Sequence, residues 1–211
     1  MGFTNLLPRP LRIANFYLES KKNVAKNLDI EEKKSLIFKL EEKKGGEGFF
    51  LDEKAEPSMV VLIGKKDIGK IFLEIKEYEK ALSYLNSAFN DLLVVMKTSD
   101  DKKNVYDNYS FITEYRAKAF SLLGQLEMAD EEYNHWNLYL NNLIETEPSN
   151  TRATELYKHS LVATFNGFIN GADTFPERCE EYYAVAKTLF EKFNQRDKGN
   201  DKIIDLLDRL S

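Results

Sequence analysis

The chain has 211 residues, of which 43% are hydrophobic and 31% are charged, and its formal net charge at pH 7 is −5. This size and balance are ordinary for a globular protein with one continuous core or a short repeat array, and they exclude a chain that is disordered throughout. The acidic total argues against a general nucleic-acid binder, because binding to phosphates requires clustered positive charge.

The amino terminus, MGFTNLLPRPLRI, lacks the basic start and the long apolar run of a secretory signal. The longest uninterrupted apolar runs have five or six residues, far below the roughly 20 that span a bilayer. Cys179 is the only cysteine and there are two histidines, too few for an intrachain disulfide or a typical zinc site. We therefore expect a soluble cytoplasmic protein with no membrane partner, no metal and no cofactor.

Two helices are predicted before the first long loop. The first follows Pro8 and Pro10 and covers LRIANFYLESKKNVAKNL. The second begins at a predicted N-cap, Asp29, with two glutamates in its first turn, and ends at a Gly-Gly pair. The loop GGEGFFLDEKAEPS then separates this amino-terminal helical pair, assigned to residues 1–57, from the rest of the chain.

The next segment, MVVLIGKKDIGK, has two interpretations. In the first, MVVLI is a buried strand and Gly64, Gly69 and Lys70 belong to a phosphate-binding loop, whose backbone amides and lysine hold phosphate oxygens. Ile71 stands where that motif requires a hydroxyl for Mg²⁺. This alternative predicts a small nucleotide-binding enzyme with a strand before Gly64.

In the second interpretation the same residues form helices of a repeat. Small, aromatic and aliphatic residues recur at intervals of three, six, three, four and three, and the full series occurs twice. The first copy comprises Gly69, Phe72, Tyr78, Ala81, Leu85 and Ala88, and the second comprises Ala117, Phe120, Leu126, Ala129, Tyr133 and Trp136. A weaker third copy aligns Cys179, Tyr183 and Ala186. Its first helix, NTRATELYKHSLVATF, loses the register and is followed by an insertion, GFINGADTFP. The recurrence favours this interpretation.

The pattern resembles the tetratricopeptide repeat. In that family a small residue in the first helix lets the second helix pack closely, and an alanine lies at the tightest crossing. Ala81 and Ala129 are 48 residues apart, against about 34 in the standard unit, and longer helices explain the difference. The resemblance implies an all-α fold in which antiparallel helix pairs stack as a superhelical array over residues 58–195. Residues 196–211 are predicted to form a capping helix.

Such an array has a concave groove lined mainly by first helices, which suits a protein partner better than a small substrate. Repeat phase assigns these residues to the groove: Lys66, Lys70, Leu73, Phe111, Tyr115, Lys118 and Leu122. Since three of them are lysines, we expect a locally basic groove that accepts an acidic or carboxylate-ended peptide or helix. In the family, asparagine is expected at two of the carboxylate-clamping positions, where this chain has Lys70 and Tyr115.

The leading hypothesis is therefore a non-enzymatic interaction module, an adaptor or assembly factor. No catalytic constellation is visible: His135 and His159 lack metal-ligand spacing, and Cys179 is predicted to be a small buried contact. The amino-terminal pair is predicted either to cap the repeats or to occupy the groove, and self-association through exposed apolar residues stays open.

Overall fold

The computed structural model describes residues 56–193, together with residues 29, 31, 32 and 35. Every regular element within this part of the chain is helical, which confirms the all-α prediction. None of these helices combines the length and apolar character needed to cross a membrane. The chain divides between Ser99 and Asp100 into two compact units, here called unit 1 and unit 2.

The predicted N-cap at Asp29 is confirmed by a capping box. The Glu32 N–H donates to the Asp29 carboxylate at 2.9 Å, and the Asp29 N–H donates to the Glu32 carboxylate at 3.0 Å. These reciprocal bonds satisfy two amide donors at the start of a helix. The remainder of the predicted amino-terminal pair and the capping helix predicted at 196–211 lie outside the described residues.

In unit 1 the structure describes two helices, α1 (Met59–Glu74) and α2 (Tyr78–Thr98). Ser58 starts α1, because its hydroxyl accepts a hydrogen bond from the Val61 N–H at 3.3 Å. MVVLI is thus the first part of a helix, and Gly64 and Gly69 lie inside it. The strand that the phosphate-loop alternative predicted before Gly64 is therefore wrong.

Helices α1 and α2 pack antiparallel through the positions that the repeat pattern singled out. A Cβ at Gly69 would lie 2.7 Å from Leu85 Cγ, so only glycine permits this approach. Phe72 stacks on Tyr84 with ring centroids 5.4 Å apart. The helices run in opposite directions, because Phe72, which follows Gly69 in α1, contacts a residue that precedes the Leu85 contact of Gly69 in α2. The close packing predicted for Gly69 is confirmed.

In unit 2 the structure describes four α-helices: α3 (Lys102–Leu122), α4 (Leu126–Thr146), α5 (Thr151–Thr174) and α6 (Cys179–Phe193), with a 3-10 turn at Pro176–Arg178. Asp101 and Asn150 cap α3 and α5 with their side chains. Gly124 has φ of 74°, a left-handed conformation that lets the chain turn sharply from α3 into α4.

Helices α3 and α5 lie side by side and run in the same direction. Arg152 bonds to Asp107 at 2.6 Å, and His159 contacts Glu114 at 2.8 Å. Further along, the Ser121 hydroxyl donates to the Gly167 carbonyl at 2.8 Å. The first two pairs are 45 residues apart in sequence and the third is 46 apart, which is the relation expected of equivalent helices in successive repeats. The helices of this unit thus form a repeat-like array in which neighbours pack together.

The segment interpreted as an insertion, GFINGADTFP, is mostly helix. Helix α5 continues to Thr174, because its two glycines are close-packing sites rather than loop residues. A Cβ at Gly167 would overlap the Tyr133 ring and hydroxyl, and a Cβ at Gly171 would overlap Tyr182.

In the third repeat copy the tyrosine assignment is wrong by one residue. Tyr182 is fully buried, whereas Tyr183, the residue assigned to the repeat position, is 36% exposed. Cys179 is half-buried at the start of α6 rather than enclosed in the core. Ala186 is buried as predicted.

A buried polar network fixes α5 against α4. The Asn137 side-chain amide donates to the Tyr133 carbonyl at 2.8 Å and to the Thr164 hydroxyl at 3.1 Å, and the Ser160 hydroxyl donates to the Asn137 side-chain oxygen at 2.5 Å. Since a sliding of either helix would leave these buried groups unsatisfied, the network fixes the register in which Gly167 meets Tyr133.

Candidate functional site

A cavity of about 350 Å³ lies between α3 and α5 of unit 2. Its α5 wall consists of residues three or four positions apart, which places them on one face of the helix. The residues that line it are Glu114, Lys118, Tyr133, His159, Val162, Ala163, Asn166, Gly167, Ile169 and Asn170. This α3–α5 cavity combines apolar side chains with charged and amide side chains, as ligand sites do.

Of the predicted groove residues on α3, Lys118 lines the cavity. Phe111 and Tyr115 lie on the same face, stacked with ring centroids 6.4 Å apart. The Phe111 ring also meets the edge of His159, at 6.2 Å between centroids. Leu122, one turn beyond Lys118, is half-buried. The structure thus brings part of the predicted α3 face to the rim of the cavity.

The predicted groove residues on α1 belong to unit 1, and none of them lines the α3–α5 cavity. Lys70 is exposed. The Lys66 side chain is 14% exposed, and its ammonium lies 3.7 Å from the Asp67 carboxylate. Leu73 is 8% exposed, so it offers little surface to a partner.

One of the charged side chains that line the cavity, Glu114, has an ion-pair partner, and another, Lys118, has none among the described residues. His159 Nε2 lies 2.8 Å from Glu114 Oε2. The hydrogen bond to Glu114 raises the pKa of His159 above its ordinary value, although partial burial and the positive charge of Arg152 oppose this. When His159 is protonated, its charge neutralises that of Glu114. Lys118 has no ion-pair partner within residues 56–193, which leaves its positive charge for a ligand.

Tyr133 lines the cavity from α4, and the part of the wall that this buried residue forms is here called the floor. The residue is fully buried, and its hydroxyl has no hydrogen-bond partner among the described residues. Burial raises the pKa of Tyr133, with a smaller contribution from the negative charge of Glu114, so the phenol stays neutral and keeps its proton. The floor of the cavity therefore carries a hydrogen-bond donor.

The arrangement suits binding of an acceptor-rich group. Lys118, Asn166 and Asn170 supply donors at its sides and Tyr133 supplies one at its floor. Within the described residues no three His, Cys, Asp or Glu side chains cluster as metal ligands. Lys118 was predicted from the repeat phase, but the other polar residues of the cavity were not. The three- and four-residue spacing from His159 to Asn170 is the sequence signal that indicates such a face.

Comparison of the chain with protein-family models, curated proteins and solved structures finds no match. The resemblance to a repeat family therefore depends on the recurring intervals and on the packing of the helices themselves.

Proposed function

We propose that the protein is a non-enzymatic interaction module with tetratricopeptide-like helix pairs, and that the α3–α5 cavity receives an acidic group of a partner peptide. The observation that carries this proposal is the charge distribution in the cavity. Glu114 is paired with His159, whereas Lys118 is not paired within the described residues. The cavity therefore has one uncompensated positive charge when His159 is protonated.

The size of the cavity supports a peptide group rather than a whole cofactor. Ligand pockets span about 300–1,000 Å³, and 350 Å³ lies near the lower limit. That volume accommodates one side chain or one chain end, while the rest of the peptide lies along the exposed faces of α3 and α5. Aromatic rings at Phe111 and Tyr115 provide apolar contact area beside the cavity.

The chemistry of the donors favours a carboxylate. An ammonium and side-chain amides all donate to anionic oxygens, and such charge-assisted hydrogen bonds are stronger than neutral ones. Two sources can present a carboxylate to the cavity: an aspartate or glutamate side chain, and the carboxyl end of a chain. Both are consistent with the predicted preference for an acidic or carboxylate-ended peptide.

An immobilised library of random decapeptides, each made with a free and with an amidated carboxyl end, tests the proposal. We expect the wild-type protein to select peptides rich in aspartate and glutamate, or those with free ends if the terminal carboxylate is the ligand. Selection that ignores peptide charge, or the absence of any selected peptide, would contradict the proposal.

Three variants locate the binding site. Lys118→Glu is expected to lower the affinity for the selected peptides by at least about tenfold, because it replaces an attraction worth more than 1 kcal/mol with a repulsion. Lys187→Glu, at an exposed position on α6, makes the same change in net charge and is expected to have little effect. The double variant Lys66→Glu/Lys70→Glu tests unit 1 separately. Circular dichroism confirms that each variant is folded.

A further inference from the structure

We infer that the Tyr133 hydroxyl is the hydrogen-bond donor that recognises the carboxylate at the floor of the α3–α5 cavity. This inference rests on the proposed function and adds a specificity-determining residue to it. It assigns a role to a hydroxyl that makes no hydrogen bond among the described residues.

The first argument is the lack of a partner for this hydroxyl. A buried polar group without a hydrogen bond destabilises a fold, and most such groups in native proteins are satisfied. Tyr133 is fully buried and its hydroxyl is unsatisfied within the described residues, whereas the hydroxyl of buried Tyr182 donates to the Ser121 carbonyl at 2.8 Å. Trp136 Nε1 is also unsatisfied, but Trp136 does not line the cavity. Tyr133 thus combines an unused donor with a position in the cavity lining.

The second argument is the position of the hydroxyl against α5. A Cβ at residue 167 would overlap the Tyr133 hydroxyl oxygen, so glycine is required there. Gly167 and Tyr133 both line the cavity, so the hydroxyl lies against a backbone position that forms part of the cavity wall. Asn137 holds this arrangement in register, because it bonds to the Tyr133 carbonyl and to Thr164 on α5.

The third argument concerns selectivity. A carboxylate has two acceptor oxygens, so one can accept from Lys118 at the side of the cavity while the other accepts from Tyr133 at the floor. A side-chain amide of the same shape can also bond to both groups, because the phenol oxygen can accept from its NH2, but its bond to Tyr133 is neutral rather than charge-assisted and therefore weaker. The hydroxyl therefore helps the cavity to distinguish aspartate and glutamate from asparagine and glutamine.

The test compares Tyr133→Phe with Tyr182→Phe. The probes are the most strongly selected acidic decapeptide of the library and its analogue with asparagine or glutamine at the acidic positions, each with a free and an amidated carboxyl end. Affinities are measured by fluorescence anisotropy with labelled peptides in solution. The amidated acidic peptide isolates the side-chain carboxylate, and the neutral analogue with a free end isolates the terminal one.

We expect Tyr133→Phe to lower the affinity for the carboxylate peptide by about tenfold or more, which is the effect of losing one hydrogen bond to a charged group. The affinity for the neutral, amidated peptide should change less than twofold. Because the variant removes an unsatisfied hydroxyl, the thermal midpoint of the free protein should stay the same or rise. Tyr182→Phe removes a satisfied hydroxyl, so it should lower the thermal midpoint and leave the peptide affinity unchanged.

Two results would overturn the inference. One is equal binding of the acidic peptide by Tyr133→Phe and the wild type, which would mean that water satisfies the hydroxyl. The other is an equal loss of affinity for the acidic and the neutral peptide in Tyr133→Phe, together with a lower thermal midpoint, which would mean that the hydroxyl supports packing. If binding depends on Lys118 but not on Tyr133, the proposed function stands and this inference fails. If the library yields no peptide, both fail.

Discussion

The Tyr133 hydroxyl of α4 occupies the space that a side chain at residue 167 of α5 would fill. This relation joins the fold to the candidate site, since the same contact that brings the two helices together also places the hydroxyl at the α3–α5 cavity. A change at either residue should therefore affect the packing, the site or both.

Gly167→Ala should destabilise unit 2. The added methyl group overlaps the Tyr133 ring and hydroxyl, and overpacking of this kind costs about 1–3 kcal/mol, partly offset by the higher helix propensity of alanine. Urea unfolding followed by circular dichroism measures the effect. Asn166→Ala, at the exposed neighbouring position, also gains helix propensity, although less than a glycine replacement does, and makes no such overlap, so its stability should lie within about 0.5 kcal/mol of the wild type. Equal stability of the two variants would contradict the close contact.

Gly69→Ala should destabilise unit 1 through Leu85, whose Cγ would lie 2.7 Å from the new Cβ. We expect a loss of roughly 1–3 kcal/mol in the free energy of unfolding. A Leu85→Ala background removes the two shortest contacts and leaves the Ala81 carbonyl oxygen at 3.3 Å, so the same substitution should be close to neutral or stabilising because alanine is the better helix former. The double-mutant cycle measures this coupling. Additive effects would show that the two residues do not meet.

The buried ion pair between Lys65 and Asp91 should be sensitive to the loss of one partner. Its atoms lie 2.7 Å apart, and the side chains are 4% and 10% exposed. Lys65→Met leaves a buried carboxylate without its cation, so we expect a loss of about 3–5 kcal/mol, and the double variant Lys65→Met/Asp91→Leu should recover most of it. Lys97→Met, at an exposed position on α2, is the control. A double variant no more stable than Lys65→Met would contradict this account.

The contact between His159 and Glu114 should make unit 2 sensitive to pH. The hydrogen bond to Glu114 raises the pKa of His159 above its ordinary value of 6.5. The stabilisation is therefore complete below about pH 6.5, the ordinary value in an unfolded chain, and is lost as the pH rises through the folded pKa. Of the nearby charges, Glu114 favours protonation, Arg152 opposes it, and Lys118 lines the same cavity.

An NMR titration of the His159 ring measures this pKa directly. We expect a value above 6.5 in the wild type and a lower value in Glu114→Gln. The affinity for an acidic peptide should fall over the same pH range, because deprotonation of His159 leaves the charge of Glu114 uncompensated in the cavity. His159→Gln should remove this pH dependence. Identical His159 pKa values in the wild type and Glu114→Gln would refute the coupling.

The repeat pattern in the sequence predicts the packing well where a small residue marks a close approach. Gly69 and Ala117 were assigned to tight helix contacts from their spacing, and the structure buries both. The same spacing failed in the third copy, where two adjacent tyrosines, Tyr182 and Tyr183, fit the pattern almost equally. Only the packing against Gly171 determines which of them is buried.

The candidate site was only partly predictable. Lys118 followed from repeat phase because it lies on the exposed face of a first helix. Tyr133 was assigned to the core, and nothing in the sequence reveals that its hydroxyl lacks a partner. Gly167 was assigned to an insertion, GFINGADTFP, because the repeat register is lost before it. Its role depends on a side chain 34 residues earlier in the chain, which local sequence does not show.

The most direct test of the central claim is an NMR titration of the ¹⁵N-labelled full-length protein with the most strongly selected acidic decapeptide. The account predicts that the largest amide shift changes cluster on the α3–α5 cavity, at Lys118, Gly167 and Asn170, and that Lys118→Glu abolishes them. Shift changes confined to α2 or α6, with these three amides unmoved, would contradict the claim that this cavity is the binding site.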